Sequence, residues 1–220
     1  MKRTHPLYYL LLTLLLLTGC NAPNQMTDDL IRAEAWMNEH PDSALNLLKG
    51  IEQPELQTRE HHARYALLYS QALDKNYIDL TGDSLINIAV DYYKDRDDVR
   101  AKFLSYYYKG RIYTNANNLT QATLAYMEAE QLVDELGDDY AAGLLYKQIG
   151  LVYDSYYDFP KSLQAYQQAI EHFTKANKPI HKIQAKLTLS TVYRNLNEKE
   201  NSYKVLQSAL MESQNLNDQS

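Results

Sequence analysis

The residues of this chain able to ligate a metal or carry a proton are six histidines, one cysteine and 28 acidic side chains. The histidines are His5, His40, His61, His62, His172 and His181. None of them forms the His-x3-His or HExxH spacing that puts two imidazoles on one face of a helix. His61 and His62 are adjacent, so on a helix they point about 100° apart and read as solvated helix residues. Asp74-Lys75-Asn76-Tyr77-Ile78-Asp79 has the outline of a calcium loop. However, Ile78 stands at the fifth position and Asp79 where the sharp turn needs glycine, so it reads as a loop between helices. Asp95-Arg96-Asp97-Asp98 and Gly137-Asp138-Asp139 precede helical patterns, where acids cap the first turn and complement the helix dipole. No GxGxxG, GxxxxGK[ST] or GxSxG motif occurs. The expectation is a protein with no catalytic residues, no metal and no cofactor.

The elements that would position any site are helices. Gly and Pro are few, seven and six, and Ala, Leu, Gln, Lys and Glu, good helix formers, are plentiful. Tyr is unusually common, 20 against three Phe and one Trp. A tyrosine buries a large ring while its hydroxyl reaches water or a partner, which suits a thin protein with little deep interior. The net charge is −6 and no basic run follows Arg3, which argues against nucleic-acid binding.

The first nineteen residues form a separate unit. Lys2 and Arg3 precede an apolar stretch from Leu7 to Thr18, and Cys20, the only thiol, closes it. Twelve helical residues rise about 18 Å, short of the ~30 Å hydrocarbon core, so the stretch suits a signal-peptide core better than a membrane span. Leu17-Thr18-Gly19-Cys20 resembles the lipobox of bacterial lipoproteins. That resemblance implies cleavage of residues 1–19, a diacylglycerol and acyl lipid on Cys20, and a polar tether through residue 26. Each buried lipid methylene contributes about 0.8 kcal/mol to anchoring. Asn21 rather than Asp follows the cysteine, and no acidic cluster follows it. By the same resemblance, these features imply the outer membrane, facing the periplasm of a bacterial cell envelope.

The remainder repeats. Gly110, Gly150 and Ser190 are forty residues apart, and Tyr113, Tyr153 and Tyr193 each follow three positions later. Twelve positions after each small residue come Ala122, Ser162 and Ser202, then Tyr126, Tyr166 and Leu206, then Ala129, Ala169 and Ala209. In Tyr146-Ile149-Gly150-Tyr153 these positions share one face of a helix, and Ser162-Tyr166-Ala169-Phe173 forms a second such face. Pro160 fits the first turn of that second helix. A small residue in mid-face lets the partner helix approach closely. Earlier units are looser: Ser70 and Leu73 hold the first two columns, but Asp83–Tyr93 fits only with a shift of about two residues. Asp28–Asn38 and Pro41–Leu48 read as the first pair. The tail after Glu212 is polar, with no capping helix of its own, and Val205, Leu206, Ala209 and Leu210 leave an apolar stripe there.

This pattern resembles the tetratricopeptide repeat, with a period of 40 instead of the family's 34 and without its usual proline. More narrowly, it resembles the long-repeat, Tyr-rich tetratricopeptide lipoproteins of bacterial envelopes. The resemblance implies an all-α, right-handed superhelical solenoid of about five antiparallel helix pairs over residues 27–216, followed by a polar tail at 217–220. Stability would come from nearest-neighbour stacking. It also implies a concave groove, lined by the first helix of each pair, that takes a protein or peptide. The columns facing the groove are Tyr107, Arg111, Thr114 and Asn115 in one unit; Lys147, Leu151, Asp154 and Ser155 in the next; and Leu187, Thr191, Arg194 and Asn195 in the last. Tyr106, Tyr113, Tyr146 and Tyr153 are expected to pack. The function implied is a membrane-anchored adaptor or scaffold that is not an enzyme and can self-associate through its uncapped C-terminal end. Two alternatives remain at this point: a cell-wall or carbohydrate-binding module, with tyrosine rings exposed along the groove, and the sensory front part of a longer signalling protein.

Overall fold

The computed structural model describes residues 25–52 and 56–217. The signal, Cys20 and residues 218–220 lie outside them. Every regular element among the described residues is a helix. The pairs are α1 Gln25–Trp36 with α2 Pro41–Lys49, α3 Arg59–Lys75 with α4 Ser84–Tyr93, and α5 Val99–Asn115 with α6 Leu119–Glu130. A short α7, Val133–Leu136, follows; then come α8 Asp139–Ser155 with α9 Phe159–Lys175, and α10 Pro179–Asn195 with α11 Lys199–Asn217. Each helix packs chiefly on its neighbours in sequence, and α1, α3, α5 and α8 also touch one another in turn. The result is an all-helical solenoid of five antiparallel pairs, as the repeat predicts.

The caps follow the local sequence. The Asp98 and Asp138 carboxylates accept from the amides of Ala101 and Ala141 at 2.9 and 3.0 Å, as expected for acids at these starts. Asp158 caps α9 in the same way, accepting from the amide of Lys161 at 3.3 Å, and Pro160 occupies its first turn.

Left-handed turn residues end the first helices without proline. Tyr77, Asn117, Tyr157 and Asn197 have φ of 58°, 55°, 60° and 63° and lie forty residues apart. The amide after each donates to the carbonyl five residues back: Ile78 to Leu73, Asn118 to Tyr113, Asp158 to Tyr153 and Glu198 to Tyr193, at 2.8–3.0 Å. The turn residue's own amide donates to the carbonyl three back, completing a Schellman motif at each joint. The column that reads Leu73, Tyr113, Tyr153, Tyr193 therefore supplies the carbonyl that closes each turn.

The small-residue column is where the paired helices meet. A Cβ added to Gly110 would stand 2.3 Å from the ring of Tyr126, and one on Gly150 would stand 2.9 Å from the ring of Tyr166. Both tyrosines are 1% exposed. The column's carbonyls take a second hydrogen bond: Ser162 Oγ donates to Gly150 at 3.0 Å and Ser202 Oγ to Ser190 at 2.8 Å. Ala122 cannot do this, and Thr114 Oγ1 donates to Gly110 at 2.9 Å in its place. Gly143 makes a further close approach that the repeat columns do not contain, its added Cβ falling 2.6 Å from the Phe173 ring.

Two expectations about the outer units change. Ile86 and Ala89 sit forty residues before Tyr126 and Ala129 and both are fully buried, so α4 packs without the expected shift. The irregularity is confined to Thr81-Gly82-Asp83, which precede the helix instead of forming its first turn. At the other end the residues after Glu212 continue α11 as far as Asn217 rather than forming a tail. The expected apolar stripe there divides: Ala209 is buried and Val205 packs inward, while Leu206 and Leu210 are exposed, together with Tyr203 and Met211. Leu206 holds the column of Tyr126 and Tyr166, but it is exposed because no described element packs over it.

Gly110→Ala is expected to lower stability by about 1–3 kcal/mol, because the added carbon overlaps a buried ring. Gly150→Ala should cost less, since its overlap is smaller. Urea unfolding checks both, and a Gly110→Ala variant as stable as the parent would show this packing to be wrong.

Candidate functional site

The first helices of the pairs share one face of the array, and a groove opens on it. A cavity of about 310 Å3 is bordered by Glu34, Arg64, Leu68, Gln71, Arg100 and Leu104. Gln71, Arg100 and Leu104 also border a smaller cavity that adds Lys75, Tyr107, Tyr108, Tyr140 and Leu144. The groove therefore runs obliquely from the end of α1 across α3 and α5 to the start of α8.

A polar ladder crosses the same helices. Arg111 on α5 donates from Nε to Asp74 Oδ1 on α3 at 2.8 Å, with its terminal Nη2 2.7 Å from the same oxygen. Its remaining arm donates to Gln148 Oε1 on α8 at 3.1 Å. Burial opposes the Arg111 charge, but Asp74 outweighs it and holds the guanidinium protonated beyond its usual range. The ladder steps by 37 residues, not 40, because adjacent first helices are offset by about one turn.

Beyond the ladder, His181 on α10 bonds the Tyr140 hydroxyl at 3.1 Å and stacks on Phe173. Lys178 lies over the Tyr140 ring, 5.0 Å from its centre. Burial lowers the pKa of His181, and the charges of Lys147, Lys178 and Lys75 lower it further. Lys75 of α3 and Tyr140 of α8 border one cavity, and His181 of α10 is bonded to Tyr140, so the first helices line a shared, concave recess.

The structure sorts the sequence-derived groove residues. Tyr107 is 6% exposed, packed edge-on against Tyr108 and stacked with Phe103, so it forms groove floor instead of a free contact. Arg111 is already neutralised by Asp74 and borders a small recess rather than either groove cavity. Asn115 is half-buried beside it, in a small recess with Ser70 and Asp74. Lys147 is half-buried and outside every ion pair among the described residues, and burial and Arg111 push its amine down. Leu151 and Leu187 are exposed, 39% and 48%. Arg194 and Asn195 are exposed, and Arg194 reaches only Thr191 Oγ1, at 3.3 Å.

Thr114 and Asp154 are not groove residues. Thr114 contacts the Tyr126 hydroxyl at 3.1 Å within the helix pair. Asp154 holds the same column of the repeat forty residues later. Its Oδ1 is buried with no hydrogen-bond partner, and burial raises its pKa. Among the predicted packing residues, Tyr146 is buried and stacks on His172, which bonds Asp139 at 2.7 Å. Tyr106, Tyr113 and Tyr153 are half-buried, and the Tyr113 hydroxyl bonds Asp83 at 2.6 Å.

Asp74, Lys75, Gln148, Tyr140, Lys178 and His181 escaped the repeat columns. For Asp74 and Gln148 the usable signal was complementary polarity 37 residues either side of Arg111, which a search restricted to the 40-residue period passes over. Among the described residues no cluster of three or more His, Cys, Asp or Glu is placed to hold a metal ion, and no helix is long and apolar enough to cross a membrane.

The helix pairs, their turns and the concave face define a TPR-like solenoid, and solved structures agree. The chain aligns with BtubC (BKLC) from P. vanneervenii over 88% of its own length and 76% of that chain, with TM-score 0.63 and 14% identity. It aligns with the nearly identical TPR-like repeats of a putative kinesin light chain from P. anserina over 90% of its length and 98% of that chain, with TM-score 0.66 and 11% identity. No family model matches, and no curated protein does.

Asp154→Asn is expected to raise the melting temperature at neutral pH, because it removes a charge that partial burial disfavours. A carboxyl whose folded pKa is raised favours folding below the ordinary carboxylate range and loses that contribution as pH rises through the folded value. The variant's advantage should thus shrink to nothing in acid. Melting curves across this range check it; an advantage that persists unchanged in acid would exclude desolvation of Asp154 as its source.

Proposed function

We propose that this chain is a lipid-anchored scaffold of the bacterial envelope that holds a protein partner in its concave groove and performs no reaction. The observation that carries the reading is the groove itself, a TPR-like concave face with an apolar floor and polar walls. Leu68, Leu104, Leu144 and the Tyr107 ring can receive apolar side chains, and the surrounding Lys, Arg and Gln groups can bond a backbone or a side chain. Anchoring rests on the sequence of residues 1–20, whose resemblance to a lipoprotein signal places a lipid on Cys20. Outer-membrane attachment facing the periplasm is part of the same proposal. Sugar recognition by a row of tyrosines is less well supported. The rings that bear on the groove are largely buried, and the most exposed ones, Tyr77 and Tyr157 at 95% and 80%, stand in the turns.

Photo-crosslinking in cells tests the scaffold, with the probe replacing Leu144 in the groove or Ile88 on the second helix of another pair. A discrete protein adduct from position 144, absent from 88, is expected. Equal labelling from both, or a smear removed by wall-degrading enzymes, would overturn the reading. In the same strains Cys20→Ser should release the protein from membranes, and a variant that still sediments with them would refute the anchor.

A further inference from the structure

The last helix pair carries an apolar face that no described element covers. In the preceding pair, Leu163, Tyr166 and Ile170 of α9 share one apolar cluster with Leu189 and Val192 of the next first helix, α10. Forty residues on, the same three columns hold Tyr203, Leu206 and Leu210 of α11. These are exposed, at 67%, 41% and 59%. On α8 the Tyr140 hydroxyl meets His181 of the next first helix, and its column holds the exposed Ile180 on α10. The side chains that stack one pair upon the next are therefore present in this pair, and they face water.

The same face carries no unpaired charge along most of α11. From Val205 to Asn217 the one ionisable side chain is Glu212. It is held at 2.8 Å by both Lys182 and Lys186 of α10. Single exposed apolar residues are ordinary on a protein surface, but a contiguous stripe depleted of charge is the mark of an interface core. What covers it must itself be apolar and uncharged there, because a charge buried against it loses water and gains no partner. The first pair of another copy does not meet this requirement, since Asp28, Arg32, Asp42 and Lys49 are exposed on α1 and α2. The equivalent face of another copy does. With two α11 helices antiparallel, Lys199, Glu200 and Lys204 of one lie opposite the uncharged Ser213–Asn217 end of the other, and no like charges meet.

We propose that two copies of this chain stack through these faces about a two-fold axis, the α10–α11 pair of each covering that of the other. Leu206 and Leu210 then take the covered place that Tyr166 and Ile170 have within the array. A two-fold contact closes on itself and stops at two copies, whereas a head-to-tail stack would continue. It also shields from water an apolar end that a repeat array otherwise shields with polar outer residues. On the scaffold reading the dimer presents two grooves and two anchors, so a partner with two sites is held more tightly without any new kind of contact. The dimer itself does not depend on that reading.

Sedimentation velocity of the purified full chain tests the stack, with Cys20→Ser so that neither lipid nor thiol contributes. A species of twice the chain mass is expected across a concentration series. Leu206→Glu together with Leu210→Glu should weaken the dimer at least about a hundred-fold, because apolar burial is lost and like charges meet. Leu124→Glu together with Met127→Glu, at exposed positions of α6, should leave it unchanged. All four positions are on the surface, and circular dichroism verifies folding of each variant. A parent that stays monomeric throughout the series, or a dimer that the Leu206/Leu210 variant keeps, overturns the inference. Masses that grow beyond two copies with concentration would overturn the two-fold contact in favour of a head-to-tail stack. Photo-crosslinking in cells from position 210 is the remaining arm. An adduct of twice the chain mass is expected, and an adduct with a different protein would assign the face to that partner instead. Loss of the dimer would leave the Leu144 crosslink, and with it the scaffold reading, untouched.

Discussion

Everything in this molecule depends on how closely the two helices of a pair can approach. Gly110 and Gly150 present bare backbone to the rings of Tyr126 and Tyr166, and no space remains at Gly110 for even a methyl group. That contact fixes the distance and rotation of each pair, and the pair is what the next one stacks upon. A solenoid has only neighbour-to-neighbour contacts, so an error in one pair propagates along the array as curvature. The hydrogen bonds to the small-residue carbonyls reinforce the same junction. Ser162 and Ser202 reach across from the second helix, and Thr114 supplies the bond where Ala122 cannot. The donor changes between units while the acceptor stays in place, which marks the carbonyl as the position that the packing fixes.

From that contact the concave face follows. The pairs stack with an offset of about one turn between first helices, so residues 37 apart meet instead of residues 40 apart. Asp74, Arg111 and Gln148 become a ladder. The ladder stabilises the array as well as shaping the site. It satisfies Arg111 internally, tying α5 to α3 and α8.

The tyrosines divide by the same logic. Tyr126 and Tyr166 are spacers within pairs, and Tyr107 and Tyr108 pave the groove. Tyr113 bonds Asp83 through its hydroxyl, and its backbone carbonyl closes a turn. A residue type so frequent in the chain thus has several distinct structural uses, and its abundance is not a sign of an exposed aromatic platform.

The sequence by itself determined the helical class, the five pairs, the 40-residue period, and the small residues at which helices meet. These are properties of periodicity and side-chain size along one chain, and local physics reads them directly. It also determined the caps at Asp98 and Asp138, because these acids act on amides three residues away. The site was legible only in part. The columns named Arg111, which the structure pairs with Asp74, but also admitted Thr114, which points into its own helix pair, and they treated Tyr107 as exposed when its neighbours cover it. Only the tertiary structure decided which charges are spoken for, because pairing depends on the offset between stacked helices and on the curvature of the array. Neither is written in any single repeat. The offset joined Arg111 to Asp74, and the curvature set Lys75 of α3 beside the same cavity as Tyr140 of α8.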